Sequence, residues 1–425
     1  HPAGSAALRS AGMNALWALM GLIAAAFVGS VLVGRRGETR RGLASGSEPV
    51  LAGFLIGPTM LGLVTPNLLE VFTPLAQVGL GWLALIVGLD YGWVDRRRIP
   101  LLRRVGGTLA GLLTMAVVTA ATFALLRRLQ PSGPIWWADT TNWITAGGIG
   151  AACTETTRHA VHWVADRVKA RGPVTDLLLD VADADDLVPF LACGALFTLE
   201  PPAGLRWAAH PGVLWAGQVA LGVAIGLLTA LLISKRFRSR SLWGVLFGTS
   251  MVAIGLAVRA DLAVLTVGFC MGLGLSVVSS HRQAIRAVVL PAEGPLRLPA
   301  LLLAGARIDV AQVPFPALLL PAVLGARALA KGLVAGCMAL VSPPMRKAGA
   351  PVVPGLLACG PNTMSIGLAF ALRFPGRVGD TVLVCAAAAT LFGELVAPTG
   401  LKVALRRAGE ATADTGPHPV VEVAT

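Results

Sequence analysis

The stretch LLLDVADADDLVPF, from Leu177 to Phe190, holds Asp180, Asp183, Asp185 and Asp186 among residues that are otherwise almost all apolar. On a regular helix Asp180, Asp183 and Asp186 recur every three residues as one drifting stripe, with Asp185 about 100° round from Asp186. A span over 177–199 puts Asp185 and Asp186 nearest the bilayer midplane, and Asp180 about 9 Å from Asp186 toward the cytoplasm at 1.5 Å rise per residue. Asp180 and Asp183 then read as vestibule residues. Adjacent carboxylates out of bulk water cannot both ionise cheaply, so a proton, a small cation or a basic side chain must compensate. A group that holds either H⁺ or a small monovalent ion, and faces two sides in turn, is the minimum chemistry of an exchanger.

Candidate partners for that pair lie far away in sequence. ARALAK sets Arg327 and Lys331 four apart, on one helix face inside an apolar run, where a cation can neutralise Asp185 or Asp186. Two spans carry sequences that interrupt a helix near mid-membrane. GGIGAACTETTRHA contains Thr154, Glu155 and Thr156, and ACGPNTMSIG contains Pro361 and Asn362. Discontinuous helices expose helix ends and free carbonyls that coordinate ions. His159 and His162, one turn apart, read as a polar helix end or a proton relay. Asp90, Arg158, Arg307, Asp309 and Glu394 complete the ionisable residues within spans, where each costs roughly 2.5 to 3.5 kcal/mol on insertion.

The elements that must position these groups follow from composition. The chain has 425 residues, 55% hydrophobic and 13% charged, with a mean hydropathy of +0.73. Such a chain is a polytopic membrane protein, not a soluble domain. Its formal charge of +13 and pI near 10.6 do not mark a nucleic-acid binder, because Lys and Arg sit in short runs between apolar segments. The six cysteines are isolated and apolar in context, which argues against disulfides or a zinc site. Runs of spanning length lie near 13–34, 49–65, 74–93, 105–126, 143–165, 177–199, 212–234, 242–258, 261–279, 297–310, 315–341, 354–373 and 379–398. The expected fold is all-α, with about thirteen transmembrane helices.

Basic loops alternate across these spans, roughly 23 Lys and Arg on one side against about 7 on the other. That bias puts the N-terminus outside and the C-terminus in the cytoplasm. The Trp-rich PIWWADTTNW suits the outer interface. Corresponding spans differ by seven, an odd offset that reverses orientation. Two inverted six-helix repeats are therefore expected, 13–199 and 242–407, with crossed broken helices and a linker helix at 212–234. Glu394 in the last span would match the acidic sixth span. Residues 1–12 are expected to be disordered or foreign to the native chain, and 408–425 a disordered tail.

From about Pro49 to Leu405 the sequence resembles the monovalent cation/proton antiporters, in the branch of bacterial sodium/proton exchangers and glutathione-gated potassium-efflux systems. The resemblance rests on GFLIGPTMLGL, LALIVGLDYGWVDRR, the TETT crossover, the paired acids of DADDL, LLLAGARIDV, ARALAKG and GPNTMS. It implies that Asp186 is the ion- and proton-binding acid and Asp185 the preceding Asp or Asn. It also implies that Arg327 pairs with the acidic site and that Thr154 and Thr156 supply hydroxyl and carbonyl ligands. Aspartate at 185 resembles electrogenic members and arginine at 327 electroneutral ones. TETT and the extra Asp183 depart from the family pattern, so ion selectivity is not inherited.

The function expected is secondary active Na⁺ or K⁺/H⁺ antiport by elevator-type alternating access, with the monovalent cation bound at Asp185 and Asp186. Lys331 would assist Arg327 in compensating charge, and Asp183, Asp180, Glu155, Asn362 and Glu394 would line the pathway. The alternatives are an ion channel or membrane sensor on the same fold and, further off, an anionic-solute symporter. No catalysis and no cofactor are expected beyond the transported ions. Membrane lipid, a second copy of the chain and optionally a separate regulatory subunit are the expected partners, with no nucleic acid. The expected location is the plasma membrane, as in a bacterial inner membrane.

Overall fold

A computed structural model describes residues 47–93, 101–130, 135–200, 210–235, 239–279 and 281–411. The expectations for residues 1–12, the span at 13–34 and most of the tail lie outside these residues. Every regular element among the described residues is helical: α1 (Glu48–Ile56), α2 (Pro66–Val71), α3 (Thr73–Trp93), α4 (Leu101–Leu129), α5 (Thr140–Ala152), α6 (Arg158–Val168), α7 (Pro173–Ala184), α8 (Leu187–Phe197) and α9 (Pro211–Lys235). There follow α10 (Ser239–Arg259), α11 (Val264–Val278), α12 (Arg282–Ala306), α13 (Pro316–Val341), α14 (Pro343–Ala348), α15 (Val352–Leu356), α16 (Pro361–Arg373) and α17 (Arg377–Arg407). Seven of them (α3, α4, α9, α10, α12, α13 and α17) are long and apolar enough to cross a membrane, which makes this a multi-pass membrane protein.

The helices associate as two bundles. One contains α1, α3, α9, α10, α11 and α12; the other contains α4 to α8 and α13 to α17. Small residues set how closely the first bundle packs. A Cβ on Gly272 of α11 would run into the Leu85 carbonyl of α3, and one on Gly88 into the Phe269 carbonyl, so glycine lets these two helices touch backbone to backbone. Between the bundles, Trp215 Nε1 donates to the Leu191 carbonyl at 3.0 Å and Thr266 Oγ1 to that of Phe190 at 2.6 Å. Phe190 and Phe269 stack at 5.3 Å across the same seam.

Three spans differ from their sequence reading. The span expected at 49–65 is helical only to Ile56, because Gly57 turns extended (ψ 171°) ahead of Pro58, a residue that disfavours helix in its predecessor. The span expected at 297–310 begins at Arg282 and carries Pro291, Pro295 and Pro299. Those prolines, spaced by four, lie on one side of the helix, so the missing N–H groups fall together and the other side keeps its ladder. The third difference concerns the four aspartates. They do not share one regular helix: α7 ends at Ala184, α8 starts at Leu187, and Asp185 and Asp186 form the turn between them. Pro189 has no N–H for the Asp185 carbonyl, which accepts instead from Val188 N at 3.3 Å and tightens the chain there.

Candidate functional site

The site is built where two interrupted helices cross. At the first crossover α5 stops at Ala152, Thr154 Oγ1 folds back on the Gly150 carbonyl at 2.8 Å, and α6 restarts at Arg158. At the second, α15 stops at Leu356 and α16 restarts at Pro361, a residue suited to a first helical turn. The crossovers are tied directly by Thr157 N donating to the Ala358 carbonyl at 3.0 Å. The buried Glu155 carboxylate adds a second tie. Its Oε2 accepts from Gly360 N at 3.1 Å, Thr363 N at 2.6 Å and Thr363 Oγ1 at 2.7 Å, so the carboxyl caps the positive end of α16. A Cβ at Gly360 would lie 2.6 Å from Thr157 Oγ1, so only glycine permits this approach.

Two cations enter this crossing from α13, both fully buried. The Arg327 guanidinium donates to three backbone carbonyls: Nε to Cys153 at 2.9 Å, Nη1 to Leu357 at 2.7 Å and Nη2 to Glu155 at 2.9 Å. Carbonyls left free at interrupted helix ends need donors, and a planar fork can reach both crossovers at once. The expected pairing of Arg327 with Asp185 or Asp186 is therefore corrected: its hydrogen bonds go to carbonyls, and Lys331 meets the acid. Lys331 Nζ donates to the Thr154 carbonyl and to Thr156 Oγ1, each at 2.7 Å, and lies 3.5 Å from Asp185 Oδ2.

The four aspartates go four ways. Asp185 is fully buried, and its Oδ1 has no hydrogen-bond partner. Asp186 is half-buried and its Oδ1 accepts from Asn362 Nδ2 of α16 at 3.0 Å. Asp183 accepts from Arg158 Nη1 at 2.7 and 2.6 Å, and Arg158 Nε also donates to His162 Nε2 at 2.9 Å. Asp180 pairs with Arg103 of α4 at 3.0 Å. The structure thus gathers Asp185, Asp186, Thr154, Thr156, Glu155, Asn362, Arg327 and Lys331 at the crossing. Asp183 and Asp180 lie outside it on their own arginines. Glu394 stands apart on α17, where it accepts from Ser47 Oγ at 2.9 Å.

A cavity of about 340 Å³ reaches this crossing between the two bundles. One wall comes from α3 and α12, with Asp90, Tyr91, Arg286, Glu293 and Arg297; the other includes Glu155, Arg158, His159, His162, Asp183, Asp186 and Asn362. Asp186 lines the cavity and Asp185 does not. Following helix direction through the bundle, the lining residues near the end of α3 and the start of α12 lie toward one membrane face. The basic 167–171, 346–347 and 402–407 segments mark the same face.

Sequence reasoning missed Thr363, whose N–H and hydroxyl both hold Glu155; its place just inside the helix that Pro361 opens was the available signal. It also missed the α12 wall, because the span was expected to begin only at 297 while α12 begins at Arg282. Arg158 was noted only as an in-span charge, although a lone arginine at a helix start requires a carboxylate partner.

Charge can be balanced at the crossing. Asp185, Asp186 and Glu155 bring three carboxylates against the two cations Arg327 and Lys331. With every group ionised the site is short of one positive charge, and Asp186 and Glu155 are the two of its carboxylates that line the cavity.

No family model and no curated protein matches the chain in sequence. Among solved structures, it is similar to the sodium proton antiporter MjNhaP1 from Methanocaldococcus jannaschii at pH 8, with a TM-score of 0.64 and 15% identity over 93% of this chain and 100% of that one. A structure of the same antiporter from an electron-microscopy map gives the same score and identity and is covered to 98%. At this identity the likeness establishes the fold: the chain has the architecture of a sodium/proton antiporter.

Proposed function

We propose that this chain, built on the sodium/proton antiporter fold, exchanges H⁺ for a monovalent cation, Na⁺ or K⁺, across a plasma membrane. The observation that carries the reading is three carboxylates against two buried cations at the crossing, a deficit of one positive charge when all are ionised, with Asp186 on the cavity wall. A proton and a monovalent cation are the two species that repair it equally, so they compete for one carboxylate.

In this reading the cation enters through the cavity and displaces the proton from Asp186. Asn362 steadies the carboxylate by its 3.0 Å hydrogen bond in either form. Asp185 stays with the Lys331 ammonium and contributes field without exchanging partners, being fully buried and off the cavity wall. Glu155 stays ionised as the cap of α16, and Arg327 fixes both crossovers. The bundle holding the crossing then moves against the other, in an elevator-like step, until Asp186 faces the opposite side. The basic end is taken as cytoplasmic, and the bundle of α1, α3 and α9 to α12 as the scaffold through which two copies associate.

The test is exchange in proteoliposomes with Li⁺, Na⁺, K⁺ and Rb⁺ over a range of pH. Competition for one carboxylate predicts that the apparent cation affinity falls about tenfold for each pH unit below the titration of the site. Asp186→Asn, close to isosteric, should fold normally and show no exchange. Normal exchange by that variant, or a fast uncoupled current in place of saturable exchange, overturns the reading.

A further inference from the structure

The cavity lining lies toward the basic end. At the other end of the seam between the bundles a smaller space of about 60 Å³ is lined by residues that include Gln77 of α3, Phe197 of α8, Asp261 and Arg373. Asp261 lies just past the end of α10 in the first bundle, and Arg373 ends α16 in the second. Arg373 Nη1 meets Asp261 Oδ2 at 2.8 Å, and Nη2 donates to the Glu200 carbonyl at 2.9 Å, so one guanidinium spans the seam.

The backbone at Asp261 gives an independent sign that the carboxylate is kept for this contact. Its φ is +57°, and Leu262 N donates to the Ala257 carbonyl at 2.8 Å, the closing bond of a helix terminus that ordinarily uses glycine. Glycine or asparagine would close α10 without a charge, whereas only a carboxylate here forms an ion pair with the other bundle. On the far side, the rings of Phe197, Phe370 and Phe374 pack edge to face behind Arg373. At the cavity end the ion pair of Arg158 and Asp183 lies within the second bundle, and Arg104 of α4 reaches α3 through the Tyr91 carbonyl at 3.5 Å.

We propose that Arg373 and Asp261 form a releasable latch, which holds the bundles together at the end opposite the cavity and opens when Asp186 is presented to that side. The inference rests on the exchanger reading for its purpose but not for its readout. Asp261 is half exposed, at 50% of its side chain, so the latch biases an equilibrium without locking it.

The readout is the labelling rate of Gln77→Cys by a membrane-impermeant maleimide, added from the side opposite the basic loops. Cys337→Ala removes the one exposed native thiol among the described residues. Asp261→Asn, which tolerates the same backbone, and Arg373→Gln should each speed labelling about 1.5- to 5-fold, the range to which exposed ion-pair energies convert. Arg373→Lys keeps the charge and should return most of the protection. Unchanged labelling in Asp261→Asn and Arg373→Gln overturns the latch, as does an Arg373→Lys rate equal to that of Arg373→Gln. Faster labelling in a protein that exchanges no ions supports the latch and defeats the exchanger reading, while normal exchange with unchanged labelling does the reverse.

Discussion

Replacing Lys331 with methionine removes an ammonium and keeps most of the side chain's volume. In the native protein that ammonium is 1% exposed, with two contacts of 2.7 Å and Asp185 at 3.5 Å. Asp185 is fully buried and one of its oxygens is already without a partner, so the variant strands a carboxylate with no fixed countercharge. Removing one member of a buried pair costs about 3–5 kcal/mol, a large share of the ~5–15 kcal/mol that holds a folded protein together. Asp185→Asn in the same chain takes away the stranded charge and should recover at least about 2 kcal/mol of the loss. The assay is a double-mutant cycle read from denaturation of the purified protein in detergent. The single variant also leaves a carbonyl, a hydroxyl and a carboxylate facing a space of ammonium size. Na⁺ or K⁺ should therefore restabilise Lys331→Met, by about 2.7 kcal/mol at a hundred times its dissociation constant. Additive costs across the cycle, with no stabilisation by either ion, would refute the reasoning.

Three further outcomes follow from other contacts. Glu410→Ala removes the carboxylate that accepts from Val174 N at 2.6 Å and Thr175 N at 2.9 Å, so α7 loses the side chain that caps its N-terminus. The cost should be about 1–2 kcal/mol, with faster hydrogen exchange confined to 174–176. Gly272→Ala drives a methyl into the Leu85 carbonyl and should lower stability by about 1–3 kcal/mol in the same denaturation assay. Arg158→Gln releases Asp183 into the cavity but loses a pair whose arginine is 47% exposed, so stability should change by less than about 1 kcal/mol. The freed carboxylate should raise apparent cation affinity at low ionic strength, an effect that fades toward 1 M salt.

The fold was legible in the sequence to the extent that length and hydropathy determine it. Lipid leaves the backbone no partner except its own helix, so apolar runs of spanning length become helices at the expected places, as 73–93 and 316–341 do. Both interruptions were visible for the same reason, since Gly, Thr and Pro clustered in oil have few other uses. What escaped was set by geometry across distant segments. Pro189 acts on a carbonyl four residues back, which split the aspartate stripe into a turn. The first half of α12 is less apolar than a span, with Arg282, Arg286, Glu293 and Arg297, so the expected span began only at 297. Arg327 and Lys331 are one helical turn apart in identical apolar surroundings, and nothing local says which faces carbonyls and which a carboxylate. That assignment depends on where a helix 174 residues away and another 30 residues away happen to end.

The Arg327 guanidinium is in effect a rivet. It fastens the end of α5, the start of the link into α6 and the end of α15 through three bonds of 2.7–2.9 Å, all buried. A joint of that kind ties the two crossovers into one unit. Under the proposed exchange the crossing would travel whole, the cage around Asp186 would keep its dimensions, and discrimination between ions of different radius would be the same at either membrane face.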